Sequence, residues 1–233
     1  MEKAIENNPD CVPLCVDLDG TLLRTDMLVE SFIRLIKKQP WAIIFLPFWL
    51  IFGGKANLKR QIARRVDVKV DLLPYNDEVV DHLRQEQSRG GKIILATASD
   101  EMLAKPIANH LGFFTDTLAS DGIKNLSGAG KAKVLSEEFG KHGYDYIGDH
   151  RKDIPVWEQA RKALLVDPRA GLKAILDKRN IPIGRVFSKR ETVFSKIKLY
   201  IKAIRLHQWA KNTLIFVPLL TSHLYNSSAL FLD

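Results

Sequence analysis

Cysteine is scarce: the 233 residues hold two, Cys11 and Cys15. Two thiols cannot build a disulfide framework. With no histidine or further cysteine near them, they cannot complete a zinc set either. Their even spacing puts both on one face of a strand, as core thiols. The first ten residues are polar and acidic and lack the apolar stretch of a secretory leader, so the soluble part is expected in the cytoplasm. No internal repeat or low-complexity tract is present. With 46% apolar and 27% charged residues, a disordered chain or a fibrous repeat is excluded. Long apolar runs are also missing from the body of the chain. Residues 40–52 (PWAIIFLPFWLIF) are intensely apolar, but thirteen residues cannot cross about 30 Å of hydrocarbon, and Pro47 interrupts them.

Acidic residues are nearly absent from one region. Between residues 173 and 211, eleven Lys and Arg are opposed only by Asp177 and Glu191, in a chain of net charge +8. The remainder is therefore close to neutral. Residues 213–232 then hold no Lys, Arg, Asp or Glu. A near-neutral domain, a basic segment and an apolar segment form the layout of a chain approaching a membrane from the cytoplasmic side. The immediate apolar continuation favours a membrane surface over nucleic acid as the partner.

Apolar run 11–18 (CVPLCVDL), ended by Gly20-Thr21, reads as a buried strand. Residues 25–70 read as mostly helical, and 76–89 as an amphipathic helix with Val79, Val80 and Leu83 on one side, stopped at Gly90-Gly91. Residues 92–98 (KIILATA) form a second strand, followed by a helix that Asp100 caps and Gly112 ends. Strands at 113–118, 144–147 and 163–166 alternate with helices at 131–139 and 154–160. This order predicts a three-layer α/β fold, a Rossmann-like parallel sheet with right-handed crossovers. Residues 1–24 and 90–185 are expected to form the core domain. Residues 25–89 would be a helical cap insertion with its return helix, and 186–233 a basic linker and partial membrane segment.

Ligands of such sheets collect beyond the carboxyl ends of the strands, and that is where the reactive residues fall. Asp17 and Asp19 end the first strand, Thr97 and Ser99 the second, and Asp149 and Asp153 follow the strand at 144–147; Ser99 and His150 lie in the crevice with no chemistry assigned. Lys131 opens a helix between them; Lys133 is a rival for its place. Taken singly, Thr97 is a β-former, Lys131 a surface lysine and Asp153 a helix cap; together they make a site. Four converging carboxylates repel one another unless a cation compensates, and hard oxygen donors with a phosphate suit Mg²⁺. A carboxylate can attack phosphorus, and a second one can protonate the leaving oxygen and later activate water. Thr97 and Lys131 can hold the phosphoryl oxygens. Gly20 lets the backbone pass close to the phosphate.

DLDGTLL (residues 17–23), the apolar strand ending in Thr97, Lys131 and GDHRKD (residues 148–153) resemble the four ordered motifs of the haloacid dehalogenase (HAD) superfamily. The resemblance implies Asp17 as nucleophile, Asp19 as general acid and base, and Thr97, Lys131 and Gly20 on the phosphate. It places Asp17, Asp19, Asp149 and Asp153 around Mg²⁺. The acid two residues after the nucleophile implies a phosphatase, and the insertion after the first motif implies a cap that closes over the site. RLHQWAKNTLIFVPLL (residues 205–220) resembles the start of UbiA-type prenyltransferases, notably those making polyprenyl-phosphate-linked phosphoribose. The Asp-rich motifs of that family are absent, so prenyl transfer by this polypeptide is not expected. The implied whole is a Mg²⁺-dependent phosphomonoester hydrolase leading into a membrane prenyltransferase. Its substrate would be a phosphorylated small molecule or a polyprenyl-linked sugar phosphate, and the domain would attach to the inner face of the cell membrane. A non-catalytic accessory module and a phosphotransferase are the alternatives. The apolar cap stretch has two readings, a self-packed core or a face touching lipid, with Lys37, Lys38, Lys55, Lys59 and Arg60 beside it.

Overall fold

The computed structural model describes residues 12–188. The readings for Cys11, for the basic segment past Ser188 and for residues 205–232 lie outside the described residues. Six strands form one sheet: β1 (Leu14–Val16), β2 (Ile93–Asp100), β3 (Asp116–Ser120), β4 (Asp145–Gly148), β5 (Lys162–Val166) and β6 (Ile183–Phe187). Their order is β3-β2-β1-β4-β5-β6, and every neighbouring pair is parallel.

Strand periodicity sorts the core into two layers. Leu14, Val16, Ile93 and Leu95 point to one face, where they meet α3 (Asp77–Ser88) and α4 (Glu101–Leu111) through Val79, Leu83, Leu103 and Ile107. Cys15, Ile94, Ala96 and Tyr146 point to the other. There they pack on α5 (Ala129–Phe139), α6 (Ile154–Trp157) and α7 (Leu172–Lys178) through Leu135, Trp157 and Leu176. Strands covered on both faces are apolar throughout, which is why KIILATA was readable. Cys15 is fully buried, and burial pushes its thiol far above the ordinary range, so it is an inert core group.

The first strand is shorter than residues 11–18. Pro13 has no N–H to donate, and past Val16 the chain leaves the sheet to build the site. The third strand begins at Asp116, because Phe113 is spent filling the core below the connection. Helix α7 and strand β6 occupy the start of the basic segment that begins at residue 173. Lys173, Lys178 and Arg185 lie exposed on them, while Leu172, Leu176 and Phe187 are buried. β6 therefore crosses the boundary expected at residue 185.

Between β1 and β2 the chain forms α1 (Met27–Lys38), a 3-10 segment (Pro40–Phe45) and α2 (Leu46–Ala63). Asp26 caps α1 by accepting from Leu28 N and Val29 N. Leu35, Ala42 and Ile62 are buried here, with Phe32, Leu46, Trp49 and Leu58 around them. Gly54, at φ +65°, kinks α2. Pro40–Ala63 is long and apolar enough by composition to cross a membrane. In this fold its second half is instead pinned to the core, through Lys59 and Arg60.

Candidate active site

The loop after β1 is held by Asp17 N donating to Ile147 O on β4, so Asp17 projects from the carboxyl end of the sheet. Lys131, in the first turn of α5, is buried, and its ammonium donates to Asp17 Oδ1 at 2.8 Å and to the Tyr146 hydroxyl at 2.7 Å. Tyr146 in turn donates to Asp153 Oδ1 at 3.2 Å. Burial acts to lower the Lys131 pKa, but the charges of Asp17 and Asp153 outweigh it and hold the group above the usual lysine value. Lys133, the rival, is exposed and pairs with Glu137 at 3.8 Å.

Asp149 follows β4, and Asp153 closes the 3-10 turn Arg151–Asp153, where His150 N donates to its Oδ2 at 3.3 Å. Asp17, Asp149 and Asp153 each bring an oxygen within 4.8 Å of the others. Burial first, then the Asp17 charge, raises Asp149 to about 7 and Asp153 to about 6. Three hard carboxylates that repel one another and are balanced by one ammonium fit a divalent cation such as Mg²⁺.

Asp19 does not belong to that group. Its Oδ1 accepts from Met27 N at 2.7 Å and its Oδ2 from Ser99 Oγ at 2.7 Å, so both side-chain oxygens are engaged. Asp19 was expected among the metal residues; the ligand oxygens that lie within 4.8 Å of one another come from Asp17, Asp149 and Asp153. Burial, with the Asp17 charge second, raises Asp19 to about 6, a value suited to proton transfer near neutrality. Thr97 is also placed differently. It is fully buried, its hydroxyl accepts from Ser99 N at 3.0 Å, and it does not line the cavity; Ser99 does. Gly20 is required twice over: its φ is +76°, and a Cβ there would lie 2.5 Å from Asp149 Oδ2.

These groups line a cavity of about 690 Å³, closed on one side by Thr25, Leu28, Lys55 and Lys59. Lys59 reaches across from α2 to donate to Ala98 O at 2.6 Å and to Asn125 Oδ1 at 3.0 Å, and burial lowers its pKa. Arg60 pairs with Asp100 at 3.1 Å and Glu101 at 2.9 Å. Both basic groups, read from sequence as flanking an apolar surface, thus face the core domain. Lys59 and Tyr146 are members of the site that residue patterns did not place there. Ser99 was expected in the crevice from its position at the end of β2, with no chemistry assigned to it.

A parallel sheet with an acidic cleft at its carboxyl ends, covered by a helical insertion after the first strand, defines a capped α/β protein built for phosphate or metal chemistry. Residues 14–158 match the model of the haloacid dehalogenase-like hydrolases, and the chain belongs to that family. A curated relative, the uncharacterized protein y4nM of Sinorhizobium fredii, is 35% identical over 209 residues. The match covers 89% of this chain but only 39% of the relative, so the chain spans well under half of that protein's length. Among solved structures, a protein of unknown function from Bordetella pertussis Tohama I aligns with a TM-score of 0.55 at 18% identity, covering 76% of this chain and 98% of that one. A protein described as a predicted phosphatase from Clostridium acetobutylicum aligns with a TM-score of 0.54 at 17% identity, covering 79% and 97%. At such identities the likeness is one of fold.

Proposed function

We propose that this chain hydrolyses phosphomonoesters through an aspartyl-phosphate on Asp17. The observation that carries the reading is the state of Asp17 and its neighbours. Asp17 is held by a buried ammonium beside Asp149 and Asp153, and two residues on stands a carboxyl poised to carry a proton. An Asp17 carboxylate oxygen attacks phosphorus as the bond to the leaving oxygen breaks, and protonated Asp19 delivers its proton to that oxygen. Asp19, now ionised, takes a proton from water; the water oxygen attacks phosphorus and the bond to Asp17 breaks, releasing inorganic phosphate. Lys131 fixes the rotation of Asp17 and balances charge as the phosphoryl group arrives. Mg²⁺ held by Asp17, Asp149 and Asp153 would neutralise the carboxylates and the bound phosphate.

The test is release of phosphate from p-nitrophenyl phosphate with and without Mg²⁺. The expected result is Mg²⁺-dependent turnover that Asp17→Asn abolishes while the far-ultraviolet spectrum is unchanged. No turnover by the unaltered chain would favour the idle accessory module, and undiminished turnover by Asp17→Asn would remove Asp17 as nucleophile.

We extend the reading to a lipid-linked sugar phosphate as substrate and to the cytoplasmic face of the membrane as the place of action. What supports this is the UbiA-like sequence of residues 205–220 and the basic, then apolar, run around it. Faster phosphate release from a polyprenyl-linked sugar phosphate than from its soluble counterpart is expected; equal rates would refute the extension.

A further inference from the structure

The outer surface of the cap is unusual for a domain in water. Trp41 is 55% exposed, Ile44 68%, Phe48 55%, Ile51 74% and Phe52 82%. They are not scattered. Phe48 stacks on Phe52 with ring centroids 6.2 Å apart, Trp41 meets Phe45 edge-on at 5.9 Å, and Phe45 stacks on Trp49 at 6.3 Å. Beside them runs an apolar groove of about 580 Å³ between α1 and α2, lined by residues such as Val29, Phe32, Leu46 and Leu50. A continuous apolar patch of this kind on a folded domain marks a surface that something covers.

The charges around it identify the cover. Residues 31–66 contain eight Lys and Arg and no Asp or Glu. Lys59 and Arg60 are turned to the core, Arg34 pairs with Glu30, and Arg65 lies over the Trp49 ring. Lys37, Lys38 and Lys55 are exposed and form no ion pair among the described residues. Aromatic and aliphatic side chains rimmed by unpaired cations match acyl chains beneath anionic headgroups. A second copy of the chain would instead bring the same cations face to face with no carboxylate to meet them. The kink at Gly54 and the ties of Lys59 and Arg60 keep the segment on a surface rather than across a bilayer.

We infer that the cap's outer face, centred on Phe48, Ile51 and Phe52, docks onto a bilayer of anionic lipid. Leu28 lines both the groove and the acidic cavity, and Lys55 lines the cavity too, so the docked face adjoins the mouth of the site. The inference stands on the cap alone and does not need the hydrolytic reading.

The test uses the full chain carrying Trp209→Phe, which removes the tryptophan of the C-terminal segment. Trp157 is fully buried, so quenching by lipid reports Trp41 and Trp49. Vesicles of phosphatidylglycerol with brominated-chain phosphatidylcholine should quench this fluorescence, and added Trp41→Phe should remove most of the effect. Phosphatidylcholine vesicles alone, or higher salt, should quench less. Replacing Phe48, Ile51 and Phe52 by Ser should weaken vesicle binding read by quenching by about tenfold for each side chain. The far-ultraviolet spectrum and melting temperature of that variant should match the parent's, which certifies its fold. Three results would overturn the inference: co-sedimentation with vesicles but no quenching, equal quenching of the triple-Ser variant, or concentration-dependent self-association that the triple-Ser variant loses.

Discussion

Replacing Asp149 by Asn should make the metal-free protein more stable and the Mg²⁺-loaded protein less so. Asp149 is raised from an ordinary 3.8 to about 7 by burial and by the charges of Asp17 and Asp153. A carboxyl whose folded pKa is raised stabilises the fold fully below its unfolded pKa, and that contribution is lost as pH rises through the folded value. The loss thus falls between about pH 4 and pH 7. A displacement of this size is worth about 4 kcal/mol for a group wholly out of water. Asp149 lines an open cavity, so solvent screening reduces the figure to about 1–2 kcal/mol. Asparagine has the same shape and never ionises. At pH 8 in EDTA, Asp149→Asn should therefore melt about 2–8 °C above the unaltered chain, and the difference should vanish near pH 4. Saturating Mg²⁺ should reverse the order at pH 8. A ligand at a hundred times its Kd adds about 2.7 kcal/mol to a protein that binds it, and the variant lacks one of the three carboxylates. Thermal unfolding followed by Trp157 fluorescence would show both effects. A variant that melts below the unaltered chain in EDTA at pH 8, or equal gains from Mg²⁺ in both, would refute the carboxylate repulsion argued for this cleft.

Gly20→Ala should cost about 1–2 kcal/mol from backbone conformation alone. The new methyl must also displace the Asp149 carboxylate, so Mg²⁺ titration of turnover should show weaker binding alongside the lower melting temperature. Ser99→Ala removes a donor that favours the ionised form of Asp19, so the Asp19 pKa should rise. In a pH–rate profile, the limb where the protonated acid is lost should move to higher pH by about one unit; an unmoved limb would mean that Asp19 is not the acid observed.

What was legible in the sequence was what local rules determine. Both-face burial made β1 and β2 read as apolar runs, and the fall of Asp17, Asp149 and Asp153 at strand ends followed from the topology of parallel sheets. Lys131 could be preferred to Lys133 only on motif grounds, and the structure separates them by burial: one is inside, the other paired on the surface. Strand β6 was hidden because Gly184 and Arg185 in its middle face solvent and only Phe187 is fully buried, so it reads as part of a basic run. The directions of Lys59 and Arg60 were not readable at all. They depend on how α2 leaves the kink at Gly54, a matter of tertiary contact with Ala98, Asp100 and Asn125 rather than of helix periodicity. The placement of Thr97 and Ser99 illustrates a finer limit: alternation gives the two residues one side of the strand, and only the local end of β2 decides which hydroxyl reaches the cleft.

The hydrogen bond from Met27 N to Asp19 couples shape to acidity. The first amide of the lid's leading helix is one of two donors that restrain the proton affinity of the proposed acid. Swinging that helix outward would withdraw the donor and leave the carboxyl holding its proton more firmly; seating it again would loosen that grip. Entry of a reactant and readiness for proton delivery would then share a single hinge, with one peptide group acting as the link.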